Sequence, residues 1–380
     1  MFKEISDFIK ETFNTEDFIP LHEPRFIGRE KDYLLDCIDS TYVSSVGKYV
    51  DDFEKKIRDY TGAKYAVATV NGTAALHTAL ILANVNEGDL VITQPLCFIA
   101  TSNAISYQKA TPLYIDIDME TLGLSPQKLE EYLRIHTHIK PDGFCYHRDL
   151  GKKITACVPM HTFGHPVKLD EINAICKKYN IMLIEDAAES LGSTYKGKQT
   201  GLIGKIGAYS FNGNKTITCG GGGIVVTDDE TLGRRAKHIT TTAKVPHRWD
   251  FVHDETGYNY RLPNLNAALA CAQMENLDLF LTKKRELAMS YKRFFEKKQI
   301  TFVTEPEHTC SNYWLNSILL RDRKERDEFL TYTNDHKVMT RPVWTLMNKL
   351  EMYKDCPKGN LENSESIENR LVNIPSSVIL

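Results

Sequence analysis

The sequence predicts an α/β fold followed by a smaller α+β lobe. Between residues 60 and 225, short apolar runs alternate with polar turns and amphipathic helical stretches. Those runs lack the every-other-residue pattern of a half-exposed strand, so they read as strands of a largely parallel sheet covered on both faces. The length, 380 residues, exceeds the ~250–300 that one hydrophobic core holds, so two lobes are expected.

Residues 1–18 form a short amphipathic lead-in. Tyr65-Ala66-Val67-Ala68-Thr69-Val70 is β-rich and closes on Asn71-Gly72-Thr73, after which residues 74–82 read as helix. Strands follow at 90–92 and 112–115. Ser125-Pro126 opens a helix, with a hydroxyl cap and a proline in the first turn. Strands at 154–158 and 181–184 flank a helix at 169–179. Sites in such sheets gather at the carboxyl ends of the strands.

The segment 136–153 is polar and rich in turn formers and reads as a surface insertion. Its His136, His138, Cys145 and His147 lack the paired spacing of a zinc site, so no metal is expected. After Pro263 a helical stretch, 266–298, breaks near 277–278. It leads to strands at 300–303, 313–320 and 338–343 and helices at 325–333 and 361–372. The expected division is a lead-in of 1–18, a large lobe of 19–280 and a small lobe of 281–380.

With 42% hydrophobic and 26% charged residues the chain has enough apolar surface to order itself. A net charge of −3 disfavours a general binder of nucleic acid or anionic membrane. No run approaches the ~18 uninterrupted apolar residues of a membrane span, and Glu4 and Asp7 stand where a leader needs an apolar core. Nine scattered cysteines without a CxxC fit reduced thiols, so a cytoplasmic protein is expected.

Three strand ends could carry chemistry. At Val70-Asn71-Gly72-Thr73-Ala74 the unpaired N–H groups of a helix start, a close-approach glycine and a hydroxyl could hold a phosphate; the same residues also suit an ordinary helix cap. Neither GxxxxGK[ST] nor GxGxxG is present. Ile184-Glu185-Asp186-Ala187-Ala188-Glu189 ends a buried strand in two acids whose side chains point to opposite faces. They could equally decorate a helix start. In Tyr209-Ser210-Phe211-Asn212-Gly213-Asn214-Lys215, followed by Gly220-Gly221-Gly222-Gly223, a strand-end lysine suits a Schiff base and Ser210 adds a hydroxyl. In this order a phosphate site, an acid and a lysine suit pyridoxal 5'-phosphate, whose phosphate, ring nitrogen and aldehyde each need one of them.

On these residues the chain resembles the DegT/StrS-type sugar-nucleotide aminotransferases, of fold type I among pyridoxal phosphate enzymes, from Ile19-Pro20-Leu21 to Ile374-Pro375-Ser376. The resemblance implies a mixed, mostly parallel seven-stranded sheet and a smaller C-terminal α+β domain. It places the internal aldimine on Lys215, the ring-nitrogen partner on Asp186, and phosphate contacts on Gly72, Thr73 and Ser210. Phe98 is implied as the stacking residue and Glu189, where relatives often carry Gln, near the ring hydroxyl. Asn259, in Gly257-Tyr258-Asn259-Tyr260-Arg261, is implied to reach the phosphate of the other subunit in a homodimer with shared active sites.

A closer likeness is to the aminotransferases of legionaminic acid and related nonulosonate pathways. It rests on Val43-Ser44-Ser45-Val46-Gly47-Lys48-Tyr49-Val50, Val158-Pro159-Met160-His161-Thr162-Phe163-Gly164-His165-Pro166, Ser210-Phe211-Asn212-Gly213-Asn214-Lys215 and Thr242-Ala243-Lys244-Val245-Pro246-His247-Arg248. This implies amination of a nucleotide-linked 4-keto-6-deoxy-N-acetylhexosamine with L-glutamate as donor. A perosamine-type 4-aminotransferase acting on a GDP-sugar is the near alternative, and a non-catalytic cofactor-binding regulator the distant one. A dehydratase on the same scaffold would carry His in place of Lys215. For the substrate, His161 is expected to face the cofactor ring. Lys244, His247 and Arg248 make a basic cluster suited to a diphosphate as well as to a solvated loop. Arg341 is expected to contact a carboxylate or phosphate, and Trp344 to offer an apolar wall.

Overall fold

In the computed structural model, which describes residues 1–380, the apolar runs assemble into one sheet. Its path is Tyr65–Thr69, Gly223–Thr227, Ile206–Ser210, Met182–Asp186, Lys153–Cys157, Leu90–Thr93 and Thr111–Tyr114. The last five of these run parallel, and Gly223–Thr227 is antiparallel to both its neighbours. Alternate residues feed different cores. Val67 and Val225 face the layer that contains Ala75, Leu76 and Leu80 of the helix Gly72–Leu82. Ala66, Ala68, Ile224 and Val226 face Phe53 and Ile57 on the other side. With both faces covered, the strands carry apolar residues at nearly every position.

The helices start where side chains can replace missing backbone partners. Asn71 Oδ1 accepts from Ala74 N at 2.8 Å and Ser125 Oγ from Lys128 N at 3.3 Å; Asp229 and Asp322 do the same for Leu232 and Glu325. Each such cap contributes about 0.5–2 kcal/mol.

The segment 136–153 departs from the expected surface loop. Thr137–Ile139 and Cys145–His147 form a hairpin whose second strand pairs with Lys153–Cys157, extending the sheet. Cys145 is buried there, and the His147 ring meets the Tyr132 hydroxyl at 3.0 Å and the Leu150 N–H at 3.3 Å. The polar residues that suggested a loop lie on the hairpin's outer face and turn.

A second sheet, entirely antiparallel, has the order Thr301–Phe302, Asn316–Leu319, Leu371–Ile374, Arg341–Pro342. The expected helix at 361–372 ends at Arg370, because Leu371-Val372-Asn373-Ile374 is wholly buried as an inner strand. The expected strand at 338–343 shortens to Arg341–Pro342. The helical stretch after Pro263 divides, as its sequence indicated, into Asn264–Met274 and Leu277–Lys298. The first helix, Phe2–Phe13, packs on this second sheet: Ile5 and Ile9 share a core with Tyr291, Phe295, Phe329 and Ile374. Phe8 stacks on Phe294 at 3.9 Å between ring centres.

Where chain start, long helix and chain end meet, Lys284 is fully buried. Its three N–H donors find three acceptors: His22 Nε2 at 3.0 Å, the Trp314 carbonyl at 3.2 Å and the Ser376 carbonyl at 2.7 Å. Burial pushes this amine down to about 7 and holds His22 well below the usual imidazole range. Replacing it by an apolar side chain strands two carbonyls. Lys284→Met is therefore expected to lower the unfolding free energy by about 2–4 kcal/mol, read by denaturant titration.

Candidate active site

The turn from Tyr65–Thr69 into the helix Gly72–Leu82 presents the N–H groups of Gly72 and Thr73 ahead of Ala74, the first amide taken by the Asn71 cap. Ser210, at the end of its strand, lies directly beside this turn. A Cβ on Gly72 would stand 2.8 Å from Ser210 Cβ and 3.0 Å from its Oγ. A Cβ on Gly223 would stand 2.3 Å from the Asn71 carbonyl oxygen. The two glycines let two strand ends close on one helix start, bringing the Ser210 hydroxyl beside the backbone N–H groups of that start. Segment 259–261 joins them: Val70 N donates to the Tyr260 carbonyl at 2.8 Å, and Tyr260 Oη meets His77 Nδ1 at 2.9 Å. Asn259 is exposed there, its Oδ1 accepting from Arg261 Nε and Nη2.

Strand alternation separates the two acids. Asp186 is buried, with Oδ2 accepting from the Thr101 hydroxyl at 2.6 Å and Oδ1 from Ala188 N at 3.2 Å. Burial raises its pKa; those donors and the nearby Lys215 charge oppose the rise. Glu185, on the other face, accepts from Gly201 N at 2.6 Å, Ile203 N at 2.7 Å and Gly204 N at 2.5 Å, fixing that loop.

His161 corrects an expectation. Its ring is wholly buried, Nδ1 accepts from Val167 N at 3.3 Å, and Nε2 meets Glu185 Oε2 at 3.1 Å. With both ring nitrogens engaged inside the chain, no polar atom of the ring is left for a substrate. His165 is also buried, edge-on to Tyr313, and burial lowers it to about 4.

Lys215 Nζ lies 3.2 Å from Glu189 Oε1, while Glu189 Oε2 accepts from Phe163 N at 3.0 Å. Burial pushes Glu189 up to about 7 against the pull of the Lys215 charge. Phe98 stands half-exposed at the start of the helix Ile99–Tyr107. Its ring centre is 6.2 Å from Trp344, which lies 5.1 Å from Phe163, so these aromatics form one wall.

Gly72 thus adjoins Ser210, whose strand lies next to that of Asp186, while Lys215 meets Glu189 and Glu189 reaches through Phe163 to the wall of Trp344 and Phe98. The other expected cations stand apart within this chain. Lys244 lies on the hairpin of Lys244–Val245 and Val252–His253, its Nζ 4.0 Å over Phe251, and Arg248 packs on Trp249. Arg341, on the small sheet's edge, donates to Asn334 Oδ1 and the Thr340 carbonyl, both at 3.0 Å. Sequence reading missed Thr101, Asn312 and Trp314. Thr101 is hidden in an unremarkable helix, and the other two belong to a strand approach that nothing in the motif marks as near Lys215.

The converging donors fit a pyridine aldehyde carrying a phosphate: a hydroxyl-lined helix start, a buried carboxylate for a cationic ring nitrogen, and an amine. Residues 25–380 match the model of the DegT/DnrJ/EryC1/StrS aminotransferase family. The chain belongs to that family. It is a pyridoxal phosphate-dependent aminotransferase. GDP-perosamine synthase of Escherichia coli O157:H7 is 38% identical over 359 residues, covering 94% of this chain and 93% of that protein. GDP-perosamine synthase of Vibrio cholerae is 33% identical over 361 residues, covering 94% of each. The structure of Helicobacter pylori PseC, an aminotransferase of pseudoaminic acid biosynthesis, superposes with a TM-score of 0.85 over 94% of each chain at 22% identity. That likeness shows the shared fold.

Because burial lifts Glu189 from its ordinary 4.5 to about 7, the folded state favours its protonated form. The associated stability is complete below pH 4.5 and is lost as pH rises through 7. In cofactor-free protein Glu189→Gln removes that loss. Relative to wild type, its unfolding free energy should climb by roughly 2–3 kcal/mol across this window, followed by denaturant titration at several pH values.

Proposed function

We propose that this aminotransferase moves the amino group of L-glutamate to C4 of a nucleotide-linked 4-keto-6-deoxyhexose, with Lys215 as cofactor anchor and proton carrier. The observation that supports this is the Lys215 amine, 3.2 Å from buried Glu189 and within electrostatic reach of buried Asp186. Asp186 faces the ring nitrogen: a carboxylate whose ionisation burial opposes gains most from a cation, so it holds a proton on that nitrogen. Gly72, Thr73 and Ser210 would hold the phosphate, Phe98 would pack against the ring, and Glu189 would stand near its hydroxyl. Bound pyridoxal phosphate supplies an electron sink for the carbanion formed at the amino-acid carbon. Lys215 Nζ would take the α-proton of glutamate and return it to the cofactor, the donor leaving as 2-oxoglutarate. With the keto sugar the same amine works in reverse and places a proton on C4.

The GDP-perosamine synthases among the relatives support a GDP-linked sugar. The motifs around Val43–Val50 and Thr242–Arg248 support the N-acetylated substrate of legionaminate-type enzymes. A homodimer completes the site in this reading, with Asn259 reaching the partner's phosphate and Lys244 and Arg248 offered to its sugar diphosphate. The hairpin that carries the two cations supports it, because Trp249 is 68% and Phe251 79% exposed in the isolated chain.

Lys215→Arg should slow the glutamate half-reaction by roughly 10²–10⁴-fold, and a full rate would overturn the reading. UDP- and GDP-linked 4-keto-6-deoxy sugars, assayed side by side with glutamate, identify the nucleotide by which pair yields amino sugar. Thr101→Val, which strips Asp186 of its shortest hydrogen bond, should weaken pyridoxal phosphate binding about tenfold in a fluorescence titration.

A further inference from the structure

The segment Asn312-Tyr313-Trp314, from the approach to the small sheet, reaches back across the molecule to the loops that carry Lys215 and Glu189. The Trp314 indole N–H donates to the carbonyl of Asn214, the residue before Lys215, at 2.7 Å. Its ring centre lies 4.0 Å from Lys215 Nζ. Asn312 Oδ1 accepts from Trp314 N at 2.8 Å, and Asn312 Nδ2 donates to the carbonyls of Glu189 and Leu191, both at 2.9 Å. Trp314 itself is 4% exposed, so its ring meets the amine with little intervening water.

We propose that Trp314 is a positioning residue for Lys215, its indole face receiving the charged amine while its N–H fixes the loop beneath it. This rests on Lys215 being the cofactor lysine. The titratable groups facing the amine are Glu189 at 3.2 Å, Asp186, and His22 of the N-terminal segment. Glu189 gains and loses its charge near neutral pH, so its hold on the ammonium is intermittent. An aromatic quadrupole does not titrate. Trp314 therefore supplies a constant attraction toward one place, to which the amine returns after each proton transfer.

The test uses the cofactor-loaded enzyme with Trp314→Leu, Trp314→Phe and a ring-fluorinated tryptophan at 314, which keeps indole shape and N–H while weakening the negative face. The readout is the pH midpoint at which the bound cofactor changes colour. Weakening the ring's hold on positive charge should lower that midpoint by roughly 0.5–1.5 units in the Leu and fluorinated proteins, the size of a desolvated cation–π contact. Trp314→Phe keeps a ring and should hold the midpoint near wild type, but its cofactor-free form, having lost the bond to Asn214, should capture pyridoxal phosphate several-fold more slowly. If Trp314→Leu does not fold, the fluorinated protein decides alone. A midpoint unmoved by fluorination overturns the proposal. Borohydride trapping of the cofactor followed by peptide mapping separates the two failures. Label absent from Lys215 sinks the assignment of the lysine, whereas label on Lys215 with an unmoved midpoint sinks only the role of Trp314.

Discussion

Two buried carboxylates and a part-buried amine, at and just beyond the ends of parallel strands, set the terms for the rest of the molecule. Moving any one of them from water alone would be prohibitive, so each is held by specific donors or by the others. Asp186 has the Thr101 hydroxyl and a backbone amide, and Glu189 has the Phe163 amide and Lys215. Burial still lifts both acids, so the site is under-satisfied as it stands. In the proposed reading a cationic ring nitrogen beside Asp186 would relieve that imbalance, which would tie cofactor affinity to the same burial that opposes ionisation without it.

The strands and helices of the sheet were legible because burial on both faces writes apolar residues at every position, and because Asn71 and Ser125 cap helices by local chemistry. The motifs that carry the candidate residues were legible for a related reason: Asp186 and Ser210 close buried strands, where motif and local geometry coincide. His161 was misread because a buried histidine and a ligand-facing one look alike in sequence; the difference lies in Glu185 and Val167, which occupy its two nitrogens. The helix read through 372 failed at its last two residues, where Leu371-Val372 could serve either period and pairing with Asn316–Leu319 decided for strand. Thr101 and Trp314 left no trace, since their importance comes from side chains distant in sequence.

The lobes are joined by polar contacts as much as by apolar ones. Asn312 bonds to the loop after Asp186, and Lys284 ties Trp314 to His22 and to the Ser376 carbonyl. Such contacts are directional, and they transmit orientation where an oily seam would permit sliding. The lysine loop is thus referenced to the small sheet, and the small sheet to both extremities of the chain.

The helix Phe2–Phe13 buries Ile5 and Ile9 in the core completed by Val372 and Ile374. During synthesis those first turns leave the ribosome about 280 residues before Tyr291 and Phe295 and about 360 before Val372 and Ile374 complete the core, a wait of roughly 15–70 s at ordinary elongation rates. An amphipathic peptide with its greasy side bare for that long is open to chaperone binding, and the lobe that finally covers it is the one whose Trp314 bonds to the loop of Lys215.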